Sequence, residues 1–208
     1  MSDRGARPFV IGIGGGSASG KSMVAEQLAA GLAPRRVRVV NQDHYYRKGG
    51  DLPQHQAPDG GRAWPDHNHP GSFDFARLRD DLRSIADAEV VIVEGILVLH
   101  DDALRDMMDL KLFIAADADE RIVRRIRRNV ARGHDLDGIC DFYLDSVRYR
   151  HEEFCEPTRE HADVVVPGGR YEAEARERAL AEVVERVRRA LEGAVPERPV
   201  RQGREGIG

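Results

Sequence analysis

The residues Gly15-Gly16-Ser17-Ala18-Ser19-Gly20-Lys21-Ser22 fit the pattern G-x-x-x-x-G-K-[ST], a loop that cradles phosphate. An apolar run over residues 9–13 precedes the loop, and Val24, Leu28 and Leu32 follow at helical spacing. The motif therefore lies between a buried strand and a helix N-terminus, where backbone N–H groups and the helix dipole converge on an anion. Lys21 is expected to reach the β- and γ-phosphates, and the Ser22 hydroxyl to ligate Mg²⁺. Only three lysines occur among the 32 Lys and Arg residues, so a lysine at position 21 stands out in a chain that otherwise uses arginine. A glycine-rich turn without a ligand is the plainer alternative, and the flanking strand and helix argue against it.

Two carboxylates come next. Asp43 follows the apolar run 37–40, and Glu94 ends the run 90–93. Asp43 is placed to take the proton of an attacking hydroxyl, the alternative being a turn cap. Glu94 fits an acid that holds Mg²⁺, because a buried carboxylate at a strand end is costly unless paired or metal-bound. Gly95 beside it is expected to let a ligand approach. The basic run Arg121, Arg124, Arg125, Arg127, Arg128 and Arg132 follows a further strand pattern. Two or three of these arginines are expected to be functional and the rest solvated. Arg125 and Arg128 share one helix face and are the candidates to neutralise a transferring phosphoryl group, with Gly133 as a hinge. His67 and His69 sit in a Gly- and Pro-rich segment, 49–71, that reads as a loop. No third ligand has suitable spacing, which favours a non-metal role.

These residues must be held by elements that alternate. Strand patterns cover residues 9–13, 37–40, 90–93, 110–114 and 164–166; helical patterns cover 22–32, 75–85, 119–128, about 138–154 and 171–191. The alternation reads as α/β, a three-layer P-loop NTPase-type fold with a parallel sheet and a small Arg-rich lid. Ligands of such sheets bind beyond the C-terminal strand ends, where Asp43 and Glu94 lie. The expected organisation is a P-loop domain over residues 8–192, a lid over about 125–140, and disordered tails over 1–7 and 196–208.

Composition narrows the class. At 208 residues and 41% hydrophobic content, the chain suits one domain with a core. A net charge of −4 argues against a nucleic-acid binder. No apolar run approaches the roughly 20 residues of a membrane span. The first eight residues hold no apolar core of a signal peptide, so a cytoplasmic protein is expected, with Cys140 and Cys155 as reduced thiols.

Taken in order, the segments resemble the uridine kinase family of P-loop kinases, within the wider uridine kinase and phosphoribulokinase group. The resemblance runs from about residue 9 to 169. It rests on the phosphate loop, on Gln42-Asp43-His44-Tyr45-Tyr46, and on His69-Pro70-Gly71-Ser72-Phe73-Asp74. Glu94-Gly95-Ile96-Leu97, Glu153-Phe154-Cys155-Glu156-Pro157-Thr158 and Ala162-Asp163-Val164-Val165-Val166-Pro167 complete it. It implies ATP- or GTP-dependent phosphorylation of a primary hydroxyl, in uridine kinases the 5′-hydroxyl of uridine or cytidine. By position, Asp43 matches the catalytic base. Lys21, Ser22 and Glu94 match the phosphate and Mg²⁺ residues. Arg125, Arg128 and Arg132 match lid arginines, and Tyr46, Asn68 and His134 fall at substrate-side positions. Family members often form tetramers, so a homo-oligomer is an expectation, with no nucleic-acid or membrane partner.

Four departures set the chain apart from the family pattern. The family segment whose Tyr and His contact the pyrimidine is absent, since residues 84–89 run straight into Val90. The family Asp before His-Pro is Asn68, and the Gln that helps read the base aligns with Phe142. The lid sequence Arg132-Gly133-His134-Asp135 follows an apparent one-residue deletion. Two alternatives stay open: the same chemistry on another nucleoside, sugar phosphate or vitamin precursor, or a nucleotide-binding regulatory protein without turnover.

Overall fold

The computed structural model describes residues 7–47 and 52–193. The expected tails at 1–6 and 196–208 lie outside the described residues. Arg7, assigned to the first tail, donates to both Asp109 carboxylate oxygens, at 2.6 and 2.8 Å.

Five strands form one parallel sheet: β1 (Phe9–Gly14), β2 (Val37–Asn41), β5 (Val90–Glu94), β6 (Leu110–Ala115) and β7 (Val164–Pro167), in the order β2-β5-β1-β6-β7. The short strands β3 (Gln54–Gln56) and β4 (Ala63–Pro65) make a separate antiparallel hairpin. Helices α1 (Lys21–Gly31) and α7 (Ala173–Gly193) pack with one face of the sheet. Helix α2 (Phe75–Ser84) and the 97–99 segment pack with the other. A short helix, α3 (Asp102–Arg105), precedes β6. Strand β5 shows why the two layers form. Its side chains alternate, so Val90 and Ile92 join one core while Val91 and Val93 join the other, and all four are buried. Among the described residues no helix is long and apolar enough to cross a membrane.

The expected strands and the helices after the phosphate loop, after Asp74 and after Asp117 are observed. Two expectations change. The 49–71 segment is not all loop: the β3–β4 hairpin occupies part of it, although residues 48–51 lie outside the described residues. The helix expected over about 138–154 is not regular. It comprises α5 (Leu136–Phe142), a π-helical turn over Tyr143–Val147, α6 (Arg148–Arg150) and a second π-helical turn over His151–Cys155. Wide turns of this kind re-aim side chains, and hydrophobic periodicity does not reveal them.

Candidate functional site

The phosphate loop leaves β1 and enters α1 through Gly20, whose φ of 106° is strained for any residue with a side chain. Gly16 is constrained from outside: the buried Arg121 guanidinium and the His151 ring occupy the space a Cβ would need. Arg121 Nε also donates to the Ala116 carbonyl at 3.0 Å. Arg121 is therefore a buried support of the loop and not one of the solvated arginines the basic run suggests. Lys21 is buried, with Nζ donating to the Gly16 carbonyl at 2.9 Å. Burial pushes its pKa down, and the Glu94 carboxylate acts against that shift. The Ser19 hydroxyl is buried and has no hydrogen-bond partner among the described residues.

Strands β2 and β5 bring the acidic residues beside this loop. Ser22 Oγ donates to Glu94 Oε1 at 3.0 Å, and Asn41 Nδ2 donates to the same oxygen at 2.7 Å. Burial raises the Glu94 pKa, while Lys21 and the Ser22 hydrogen bond lower it. A hydroxyl and a carboxylate at the mouth of a cavity are hard oxygen donors that suit Mg²⁺, which keeps several waters and takes few protein ligands. The residues present fit that ion. Asn41 Oδ1 also accepts from the Asp43 amide at 2.7 Å, which starts the 3₁₀ turn Gln42–Tyr45 and leaves Asp43 exposed to the cavity. Gln42 turns the other way. Fully buried, its Oε1 accepts from the Leu97 amide at 2.9 Å, and its side chain fills the space above Gly95. Gly95 thus admits Gln42 on the side where a Cβ would stand, and it also lines the cavity, where a ligand was expected to approach. Neither Asn41 nor Gln42 was given a role from the sequence, although Gln42 opens one of the segments that carry the family resemblance. Their position between a strand end and Asp43 was the available signal.

Helix α4 (Ala118–Val130) carries the basic run across the top of the loop. Arg125 Nη1 and Arg128 Nη2 both approach Ser17 Oγ, at 3.1 and 3.5 Å. Arg124 pairs with Glu120 at 2.5 Å and donates to the Gly168 carbonyl at 2.8 Å. Among the described residues Arg125, Arg128 and Arg132 have no ion-pair partner. Burial lowers the pKa of Arg125 and Arg128; the charge of Arg128 adds to the effect at Arg125, and that of Arg132 to the effect at Arg128. Three uncompensated guanidinium groups facing one cavity make an anion site. Gly133, at φ 86°, follows α4 and turns the chain toward α5.

The cavity enclosed by these elements measures about 570 Å³. It brings together Ser17, Ala18, Gly20, Lys21, Ser22, Asp43, Tyr46, Asn68, Glu94, Arg125, Arg128 and Arg132. Gly15, Gly16 and Ser19 do not line it and instead shape the loop beneath. His134 lies outside it, in an adjoining cavity of about 450 Å³ that shares His67, Arg125 and Phe142 with the first. Tyr46 donates to the His67 carbonyl at 3.0 Å and stacks on Phe73, with centroids 4.4 Å apart. Burial, then the Asp43 charge, pushes its phenol pKa up. His69 caps a turn, accepting from the Gly71 amide at 2.9 Å. The Asn68 amide donates to buried Asp66, which Arg150 Nε reaches at 2.6 Å.

Comparison with known proteins agrees with this geometry. Residues 66–174 match the model of the Phosphoribulokinase / Uridine kinase family. A uridine kinase of Ligilactobacillus salivarius (strain UCC118) is 34% identical over 81% of this chain and 89% of its own. A uridine kinase of Limosilactobacillus reuteri (strain DSM 20016) is 36% identical over 78% of this chain and 84% of its own. The fold is shared with a gluconokinase from Sinorhizobium meliloti 1021, with a TM-score of 0.53 at 19% identity over 91% of this chain and 100% of that one. The chain belongs to the phosphoribulokinase/uridine kinase family and is a P-loop small-molecule kinase, a phosphotransferase that acts on a hydroxyl group.

Proposed function

We propose that the protein transfers the γ-phosphoryl group of ATP to the primary hydroxyl of a nucleoside, with the 5′-hydroxyl of uridine or cytidine as the leading acceptor. The observation that carries this reading is the shared cavity: Asp43 lines it together with Lys21 and with Arg125 and Arg128, which have no ion-pair partner among the described residues. The uridine kinase relatives support the nucleoside.

Lys21 and the loop amides hold the phosphates, and Ser22 and Glu94 hold Mg²⁺. When bound, that ion neutralises charge on the phosphate oxygens. The Asp43 carboxylate accepts the proton of the acceptor hydroxyl as its oxygen attacks the γ-phosphorus in line. Arg125 and Arg128 meet the charge on the transferring group, and Arg132 supports them from the rim of the cavity. Closure of the 125–140 lid about Gly133, within a kinase domain of residues 8–192, excludes water from the transfer. Tyr46, Asn68 and His134 belong to the acceptor side.

Phe142, standing where the family reads the base with Gln, favours a second reading: the same chemistry on a different hydroxyl compound. ADP release from Mg·ATP separates the two, measured with uridine, cytidine, purine nucleosides, nicotinamide riboside, pantothenate, ribulose 5-phosphate and glycerate. Turnover with uridine or cytidine supports the proposal. Turnover only with a non-nucleoside overturns it. With any active acceptor, Asp43→Asn is expected to lower kcat by about 10²–10⁴-fold and leave ATP binding unchanged. Near-normal turnover of that variant removes Asp43 from the role of base.

A further inference from the structure

Arg125 lines the transfer cavity with no carboxylate to fix it among the described residues. Its Nη1 donates to Ser17 Oγ at 3.1 Å, and its buried Nε has no hydrogen-bond partner among them. A long side chain tethered at one point keeps rotamer freedom, and that freedom must be given up when the guanidinium meets a transferring group.

Aromatic rings supply a second support. The Arg125 guanidinium carbon lies 5.6 Å from the centroid of the Phe142 ring. Phe142 packs against Trp64, with centroids 5.2 Å apart and ring planes at 57°, within the range of favourable aromatic pairs. The Arg62 guanidinium covers the Trp64 ring at 3.8 Å. Arg62, Trp64, Phe142 and Arg125 thus form one continuous ladder of cation, ring, ring and cation. Its middle is anchored. Trp64 Nε1 donates to Asp145 Oδ2 at 3.1 Å, on the π-helical turn after Phe142. His55, on the partner strand of the hairpin, contacts the Asp145 carbonyl at 2.6 Å.

A ring in this place does what a carboxylate could not. A carboxylate would fix the guanidinium and also cancel its charge, in competition with phosphate. The face of a benzene ring attracts a cation through its quadrupole and carries no net charge. Building on the proposed role of Arg125 at the transferring phosphoryl group, we infer that Phe142, backed by Trp64, is a positioning residue that holds the Arg125 guanidinium at the cavity while leaving its charge free for the phosphoryl group. The β3–β4 hairpin, which carries Trp64, thereby contributes to the transfer without touching phosphate.

Steady-state kinetics with any acceptor that gives turnover test this. Phe142→Leu, which keeps apolar volume and removes the ring face, is expected to lower kcat by about 3- to 30-fold and to leave both KM values within about twofold. Phe142→Tyr keeps the face, is expected to retain most of the wild-type kcat, and checks that the site still folds. Trp64→Ala is expected to act in the same direction, and Trp64→Phe to restore most of the loss. The loss must pass through Arg125: in an Arg125→Met background Phe142→Leu is expected to cost less than about twofold more. Without any acceptor, calorimetry compares binding of Mg·β,γ-imido-ATP with that of Mg·ADP. Arg125→Met and Phe142→Leu are each expected to narrow the preference for the triphosphate. A Phe142→Leu loss that falls on the KM of the acceptor, an equal loss with and without the Arg125 side chain, or a nucleotide preference that Phe142→Leu leaves unchanged overturns the ladder and leaves the kinase standing. A preference that Arg125→Met leaves unchanged removes Arg125 from the phosphoryl group and overturns the ladder with it. Turnover only with a non-nucleoside overturns the nucleoside reading, and the same comparison of variants on that compound then decides the ladder.

Discussion

Asn41 and Glu94 are register partners at the C-terminal ends of the neighbouring parallel strands β2 and β5, and Asn41 Nδ2 donates to Glu94 Oε1 at 2.7 Å. The same Asn41 holds the Asp43 amide through its other side-chain atom. One neutral side chain thus aims the proposed Mg²⁺ carboxylate and sets the turn that presents the proposed base. Hydrogen bonds to charged groups are worth about 1.5–3 kcal/mol. Asn41→Ala is therefore expected to lower kcat by roughly 10- to 100-fold and to raise the Mg²⁺ concentration needed for half-maximal rate. A Mg²⁺ titration of ADP release checks both effects. An unchanged Mg²⁺ requirement separates Asn41 from Glu94.

Arg125 is partly buried and, among the described residues, without a carboxylate partner, whereas Arg127 on the same helix is exposed. Replacing Arg125 by Met is expected to reduce kcat/KM by about 10³-fold or more, in line with arginines that meet transition-state charge. Lysine at this position is expected to recover only part, since it lacks the planar fork. Arg127→Met is the matched control and is expected to be close to wild type in the same assay.

The Asp66 carboxylate is fully buried, and Arg150 is its charged partner. Arg150 also reaches Glu153, and the Asp66 carbonyl accepts from the Ser72 hydroxyl. Arg150→Met leaves a buried carboxylate uncompensated and is expected to cost about 3–5 kcal/mol of stability. The double variant Asp66→Asn with Arg150→Met is expected to recover part of that loss, because the stranded charge is gone. Urea unfolding of the two single variants and the double tests this coupling.

Stability is expected to depend on the ring of His151. Burial, then the charges of Arg121 and Lys21, hold its pKa down at about 4; Glu156 Oε2 lies 3.3 Å from the ring's Nε2. As pH falls below the ordinary value near 6.5, the unfolded chain takes up a proton that the folded chain refuses until about pH 4. Stability contributed by the neutral ring is thus complete above about pH 6.5 and is lost across the window down to about 4, by roughly 3 kcal/mol. Urea midpoints between pH 7 and 4 should fall less steeply for His151→Gln than for wild type. Parallel pH profiles rule this contribution out.

Where the candidate site residues gather was largely legible in the residues themselves. The phosphate loop, Asp43, Glu94 and the α4 arginines could be read because local rules govern them: a strand must end before a ligand edge, and a loop must be glycine-rich to turn onto phosphate. The parallel strands were visible because each is a short run rich in apolar residues, β-branched in most of them; β1, β5 and β6 are largely buried, while β2 and β7 are the half-exposed edges of the sheet. Tertiary structure alone decided which side chains these neighbours share. Asn41 binds Glu94 only because β2 and β5 pair in one register, and Gln42 fills the space over Gly95 only because a 3₁₀ turn points it inward. Among the six arginines of one basic run, packing chose Arg121 for burial, Arg124 for an ion pair and Arg125 for the cavity. The β3–β4 hairpin and the π-helical turns escaped the sequence for the same reason. Strands of three residues carry little periodicity of their own, and the hairpin packs through Trp64 and His55 against a turn some 80 to 90 residues away. Contacts of that separation are made by the folded chain as a whole and leave no local pattern to read.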